Sequence, residues 1–104
     1  YTSDAVSSIF TAMESGRDGE CYSVANPDTY CSIRNMAEMV ARDIAQNKIS
    51  VEIHLEDIKK SGYAETLYMQ LDVNKITSLG WKPYVNLRDM YKYMINYWVE
   101  QNNV

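Results

Sequence analysis

Histidine and cysteine are common catalytic and metal-binding residues, and this chain has one histidine and two cysteines. His54 lies on the polar side of an alternating segment, where a side chain that faces solvent is expected. Cys21 and Cys31 are ten residues apart, and with a single histidine they lack the spacing of a zinc site. No Gly-x-Ser-x-Gly turn accompanies His54, which argues against a serine hydrolase triad. These residues therefore predict neither a catalytic group nor a metal site.

The nine tyrosines could supply a general base. A tyrosine acts in this way when a lysine four residues later on the same helical face lowers its pKa. None of the nine is followed by lysine at that spacing; Tyr30 has Arg34 there, but it lies in a loop before a predicted helix. The sequence therefore contains no complete catalytic centre.

The four glycines do not form a phosphate-binding loop of either the Gly-x-Gly-x-x-Gly or the P-loop type. No cofactor-binding residue is therefore predicted. Gly16 and Gly19 have the Gly-x-x-Gly spacing of an RNA-binding KH loop, but that loop needs a cationic setting. Here the surroundings are acidic, and we interpret the segment as the turn that ends a helix. The net charge of −4 likewise argues against broad contact with nucleic acid or an anionic membrane surface.

Four helices are predicted from apolar side chains that repeat at helical spacing. Their expected N-caps are Ser3 or Asp4, then Ser32, Asp72 and Asn86. Buried stripes of this kind normally form the core. The stripes are Val6, Ile9, Phe10 and Met13; Ile33, Met36, Ala37, Val40 and Ile44; Val73, Ile76 and Leu79; and Leu87, Met90, Tyr91, Met94 and Trp98.

Three strands are predicted between these helices, at Glu20 to Ala25, Ile49 to Leu55 and Leu67 to Leu71. The second is the clearest, because Ile49, Val51, Ile53 and Leu55 share one face and polar residues take the other. Strands and helices alternate along the chain, so the predicted fold is mixed α/β, as in a small α+β lobe.

The cellular setting is inferred from what the sequence lacks. It has no basic and apolar leader and no apolar run near the roughly 18 residues that would span a bilayer. We therefore expect a cytoplasmic protein, in which Cys21 and Cys31 would be free thiols. The first residue is Tyr1 rather than Met, which indicates a processed or partial chain.

Three stretches, taken together, have an order and spacing found in one family. They are Tyr1-Thr2-Ser3-Asp4-Ala5-Val6; Gly19-Glu20-Cys21-Tyr22-Ser23-Val24-Ala25-Asn26; and Leu71-Asp72-Val73-Asn74-Lys75-Ile76 followed by Leu79-Gly80-Trp81-Lys82-Pro83. The set resembles the extended short-chain dehydrogenase/reductase family, specifically its NAD-dependent nucleotide-sugar epimerases and dehydratases. It spans nearly the whole chain.

The resemblance implies that this chain is the C-terminal portion of such an enzyme. Members of the family bind NAD(P) on a doubly wound, Rossmann-type domain with a Gly-rich turn. They use a Tyr-x-x-x-Lys pair with Ser or Thr for catalysis, and these motifs would precede Tyr1. Residues 1–26 would then be an edge helix and strand of the missing nucleotide-binding domain, and residues 27–104 a substrate-binding lobe.

Alone, the chain would bind no cofactor and would be inactive. Its ligand in the whole enzyme would be a nucleotide sugar. The identity of the sugar and nucleotide, the reaction type and a homodimeric state are left open.

Two positions depart from the family pattern. Ser23 replaces a usual Asn, and Gln70 matches an Arg that in many relatives pairs with the phosphates of the nucleotide. An amide makes a neutral and weaker contact than a guanidinium. Another cation, such as Lys59, Lys60 or Lys75, could supply the charge, or the ligand could differ. Gln70 is thus the one substrate-binding residue that the sequence predicts.

A second hypothesis from a different class is a free-standing, non-catalytic interaction module of the same architecture. The upstream reading frame distinguishes the two, since an enzyme requires a Gly-rich turn and a Tyr-x-x-x-Lys pair there.

Overall fold

The computed structural model describes residues 1–62 and 66–102, apart from the side chains of Ile58 and Lys59; residues 63–65 and 103–104 of the predicted lobe lie outside this part. The described residues form helices joined by irregular segments. None of these helices is both long enough and apolar enough to cross a bilayer. The elements are α1 (Thr2–Ser15), a 3-10 turn (Pro27–Thr29), α2 (Ile33–Met39), a π-helical turn (Val40–Ile44), α3 (Ile58–Ser61), α4 (Asn74–Thr77) and α5 (Leu87–Asn102).

The prediction of a mixed α/β, Rossmann-type fold is wrong for the described residues, which contain helices but no β-strand. All three predicted strand segments are irregular. Alternating side chains indicate a preference of the backbone, but a strand exists only where its N–H and C=O groups pair with a neighbouring chain segment. No such ladder forms here, and the apolar side of Ile49 to Leu55 is exposed.

The four predicted helices are confirmed, and three of the predicted cap residues accept hydrogen bonds from backbone N–H groups, although the N-cap residue of α4 is Val73 and not Asp72. The Ser32 hydroxyl accepts from Asn35, the Asp72 carboxylate from Asn74 and the Asn86 amide oxygen from Asp89, over 2.9–3.1 Å. The first helix differs. Its N-cap residue is Tyr1, without a side-chain hydrogen bond, so neither Ser3 nor Asp4 caps it.

The buried core of the described residues is small and centres on α4. Val73, Ile76 and Trp81 form one cluster, in which Ile76 is 0% exposed. Residues from α1 and from the segment before Asn26 pack against it, namely Ala12, Tyr22 and Ala25. Gly80, with φ +98°, provides the left-handed exit that turns the chain so that Trp81 lies back over α4.

A second contact joins the π-helical turn to α5. The Asp43 carboxylate receives hydrogen bonds from Arg42 at 2.7 and 3.1 Å and from Arg88 on α5 at 2.5 Å. The hydrogen bonds from Arg42, with a further one from Arg88, lower the pKa of Asp43 to about 2. The Tyr91 hydroxyl also lies 3.0 Å from the Met36 sulfur. These contacts hold α5 against the turn that follows α2.

Much of the predicted core is exposed instead. On α1, Phe10 is 64% and Met13 76% exposed, and Val6 and Ile9 beside them are exposed too. Met94 and Trp98 on α5 are also exposed, because among the described residues no other element covers these faces of the two helices. The radius of gyration is 17.8 Å, whereas a compact domain of this length has about 13 Å. The molecule is open and flat, with extents of 48 × 45 × 21 Å.

Candidate functional site

Asp4 connects the beginning of the chain to the segment after α4. Its buried carboxylate accepts hydrogen bonds from the backbone N–H groups of Tyr84 and Val85, each at 3.0 Å. Its backbone oxygen accepts a hydrogen bond from the Trp81 indole N–H at 3.1 Å, which is shared with the Ser7 hydroxyl at 3.0 Å. The first and third of the stretches that carry the family resemblance are therefore bonded directly to each other.

Lys75 makes the corresponding connection between the second and third stretches. Its ammonium pairs with the Glu20 carboxylate, donates to the Cys21 carbonyl at 2.8 Å and lies 4.8 Å from the centre of the Tyr22 ring. The hydrogen bond to Glu20 raises the pKa of Lys75. The Tyr22 hydroxyl accepts a hydrogen bond from the backbone N–H of Arg17 at 2.9 Å. Lys75 is thus a structural cation that is already paired.

Asn26 fixes the loop that follows the second stretch. Its amide nitrogen donates to the Val85 carbonyl at 3.1 Å, and its amide oxygen accepts from the Asp28 backbone N–H at 3.1 Å. The Thr29 hydroxyl donates to the Asn26 carbonyl at 2.8 Å. Since Val85 is itself held by Asp4, this loop is anchored through Asn26 to the same network.

A cleft of about 180 Å³ lies between this loop and the segment that contains Gln70. Gln70, the predicted substrate-binding residue, is therefore brought next to side chains from a distant part of the sequence. The lining consists of Ala25, Asn26, Pro27, Thr29, Tyr30, Met69, Gln70 and Leu71, and none of these residues is charged. Apart from a few amide and hydroxyl groups, the walls are apolar.

None of the lysines considered as a substitute for the missing Arg is found at this cleft within the described residues. Lys75 lines a different cavity, together with Arg17, Glu20 and Tyr22. Lys60 is exposed on α3, and the side chain of Lys59 lies outside the described residues. The cleft at Gln70 therefore offers a ligand hydrogen bonds and apolar contact but no positive side chain.

The remaining chemically reactive residues do not converge with the cleft. His54 is exposed and lies 3.1 Å from Glu52. Cys21 and Cys31 are both exposed and unpaired. Within residues 1–62 and 66–102, no group of three or more His, Cys, Asp or Glu side chains is arranged to hold a metal ion. Among the described residues, the lining of the cleft at Gln70 therefore contains no histidine, cysteine or acidic side chain.

Tyr30 and Thr29 line the cleft, but no sequence pattern places either of them in a binding site. The only role that the sequence suggests for Tyr30 is that of a general base, and it has no lysine partner. No motif or spacing in the sequence links these two residues to Gln70. Comparison with protein-family models, curated proteins and solved structures finds no match to this chain.

Proposed function

We propose that this chain is the C-terminal, substrate-side portion of an NAD-dependent nucleotide-sugar epimerase or dehydratase. The observation that carries the proposal is the meeting of the three resembling stretches in one hydrogen-bonded cluster. Asp4, Lys75 and Asn26 each bond to a stretch or segment far away in the sequence. If the three stretches resembled the family only by chance, their residues would not be expected to form hydrogen bonds with one another.

The cluster also gives a physical reason for the aspartate at position 4 and the tryptophan at position 81. Asp4 provides two acceptor oxygens for backbone N–H groups that no helix satisfies. Trp81 closes the core and donates its indole N–H to α1. Such residues position a site rather than carry out chemistry, which agrees with an enzyme whose catalytic pair and cofactor are held by another part of the protein.

The exposed side of α1 supports the assignment of residues 1–26 to the edge of a larger domain. An apolar helix face and an open overall shape are what remains when a covering layer is missing. In this proposal the part that precedes Tyr1 covers α1, holds NAD(P) and supplies the proton-transfer pair. Residues 27–104 then contribute the cleft at Gln70 to the binding of the nucleotide sugar.

The first test uses the upstream reading frame together with NAD binding. We expect a Gly-rich turn and a Tyr-x-x-x-Lys pair upstream of Tyr1. By calorimetry, residues 1–104 alone should not bind NAD, whereas the full-length protein should. NAD binding by the isolated chain, or an upstream region without these motifs, contradicts the proposal.

The interaction module is the second candidate, and the exposed apolar faces of α1 and α5 favour it as well. Such faces suit a protein partner as readily as they suit a domain of the same protein. The two hypotheses assign different roles to the cleft at Gln70. In the enzyme it binds the nucleotide sugar, whereas an interaction module has no substrate to bind there. Binding of a nucleotide sugar to the full-length protein decides in favour of the enzyme.

A further inference from the structure

We infer that the cavity between the π-helical turn and α5 binds a small organic carboxylate through Arg88 and Lys92. This cavity is separate from the cleft at Gln70, because the two share no lining residue. The inference goes beyond the proposed function and does not depend on it. It gives a binding role to a face of the chain for which the sequence predicts none.

The cavity is large enough to enclose a small molecule. Its volume is about 510 Å³, which lies within the range of roughly 300–1,000 Å³ that is usual for small-molecule sites. The ion pair between Asp43 and Arg88 holds its two walls together. Ile44 from the turn and Ile95 from α5, both half-buried, provide apolar surface inside it. A ligand with a short hydrocarbon part can therefore leave water here.

The two cations of the cavity have unused donor groups. Within the described residues, no carboxylate lies within ion-pair distance of the Lys92 ammonium. Arg88 donates to Asp43 only through Nη2, and its Nε and Nη1 groups have no acceptor in the same part of the chain. The two residues are four positions apart on α5, which places them on one face of the helix. Guanidinium and ammonium groups bind carboxylates through charge-assisted hydrogen bonds, so one carboxylate can bridge both residues.

The charge around the cavity favours an anion with a single negative charge. Arg88 and Lys92 line the cavity, and Arg42 shares the Asp43 carboxylate from outside it, which makes three positive charges. Asp43 and Asp89 carry two negative charges, so the surplus is one positive charge in a chain whose net charge is −4. A carboxylate balances this surplus. A phosphate group, with about −1.5 to −2 at neutral pH, would exceed it next to Asp89.

The test is an NMR titration of the isotope-labelled 104-residue chain with butyrate at neutral pH. The backbone amide signals of Ile44, Arg88 and Lys92 should shift and reach saturation. Butyramide has nearly the same shape but no charge, and it should cause no saturable shift. Inorganic phosphate should bind more weakly than butyrate. Butyramide that binds as well as butyrate, or phosphate that binds more tightly, overturns the inference.

Lys92→Gln tests the site at its unpaired cation. This variant should weaken butyrate binding by about 10-fold or more, as expected for loss of one charge-assisted hydrogen bond. Because Lys92 forms no ion pair within the described residues, the amide signals of the rest of the chain should stay in place. Lys82→Gln is the matched control, since Lys82 is exposed and does not line the cavity. Unchanged affinity in Lys92→Gln, or an equal loss in both variants, overturns the inference.

This experiment is independent of the test of the proposed function. It uses neither NAD nor a nucleotide sugar, and none of the residues it changes lies at the cleft that contains Gln70. Failure of butyrate binding therefore removes the carboxylate site and leaves the proposed enzyme unaffected. An upstream region without the expected motifs would remove the enzyme and leave the carboxylate site unaffected.

Discussion

Asp4 shows how one residue type can be used in two ways near the start of a helix. An aspartate at this position often caps the helix or complements its dipole. Here the carboxylate instead faces the segment after Trp81 and accepts two of its backbone N–H groups. Among the described residues no buried side-chain polar atom lacks a partner, so this bonding is complete. The residue therefore connects α1 to the segment that precedes α5.

Replacement of Asp4 by alanine should destabilise the fold. The Tyr84 and Val85 N–H groups would lose their acceptors in a partly buried setting, and each unsatisfied group costs about 1–3 kcal/mol. We expect the free energy of unfolding, measured with urea, to fall by at least about 2 kcal/mol. Asp18→Ala, at an exposed turn, is the control. Equal stability of the two variants would show that the Asp4 bonds contribute little.

Because of Asp43, the free energy of unfolding of the chain should decrease as the pH is lowered in the acid range. Its pKa is about 2 when folded, against an ordinary value of 3.8. Its stabilising contribution is therefore complete above about pH 4 and is lost as the pH falls towards 2. Asp43→Asn should lower stability at about pH 6 and reduce the further loss between about pH 6 and pH 3. The effect should be modest, since both guanidinium groups are largely exposed to solvent.

Chemical denaturation at the two pH values tests this expectation. Asp18→Asn, which changes an exposed carboxylate in the same way, serves as the reference. If Asp43→Asn loses as much stability between the two pH values as the wild type does, Asp43 does not cause the pH dependence.

Among the secondary-structure elements, the four helices with apolar stripes were predictable from sequence, whereas α3 was not, and the three predicted strands did not form in the described residues. A helix satisfies its own backbone, so the Ile33 to Ile44 stripe and the Ser32 cap were sufficient to locate one. A strand depends on a neighbour that local sequence does not identify. The alternation of Ile49 to Leu55 records a side-chain pattern, and without a pairing segment it produced no ladder. The helical spacing of apolar residues also does not show whether another element packs against them, as the exposed apolar faces of α1 and α5 illustrate.

The candidate site was predictable to a similar extent. Gln70 followed from the family resemblance, because it lies directly before the third stretch, at the position that matches the family's Arg. Asn26 is held beside the cleft by a tertiary hydrogen bond to the Val85 carbonyl, and Tyr30 follows it in the same loop. Asn26 and Val85 are 59 positions apart in the sequence, and no sequence pattern predicts that they are in contact. The absence of charge in the cleft could likewise be seen only after the lining was assembled.

Two isoleucines on packed and unpacked helices should respond differently to truncation. Ile76 on α4 is fully buried, and Ile76→Ala should lower the free energy of unfolding by about 2–5 kcal/mol. Ile9 on α1 is exposed, so Ile9→Ala should change it by less than about 0.5 kcal/mol. Urea denaturation of the 104-residue chain measures both. A large effect at Ile9 would mean that the α1 face is covered within this chain.

The whole molecule is open because its apolar surface exceeds what its own elements can cover. Only Ala41, Val73, Ile76 and Trp81 are buried apolar residues among those described. The polar connections made by Asp4, Lys75 and Asn26 hold the segments together around this small core. A flat arrangement of this kind leaves one side of α1 and the second half of α5 in contact with water.

This exposed surface should cause the isolated chain to associate. Val6, Ile9, Phe10 and Met13 form a continuous apolar face on α1, and such faces drive association in water. Light scattering at rising concentration should show species larger than a 12.0 kDa monomer. Phe10→Asp combined with Met13→Asp should reduce association, whereas Leu55→Asp, at an exposed residue outside α1, should not. A strict monomer at high concentration would contradict this expectation, and an equal effect of all substitutions would show that α1 is not the contact surface.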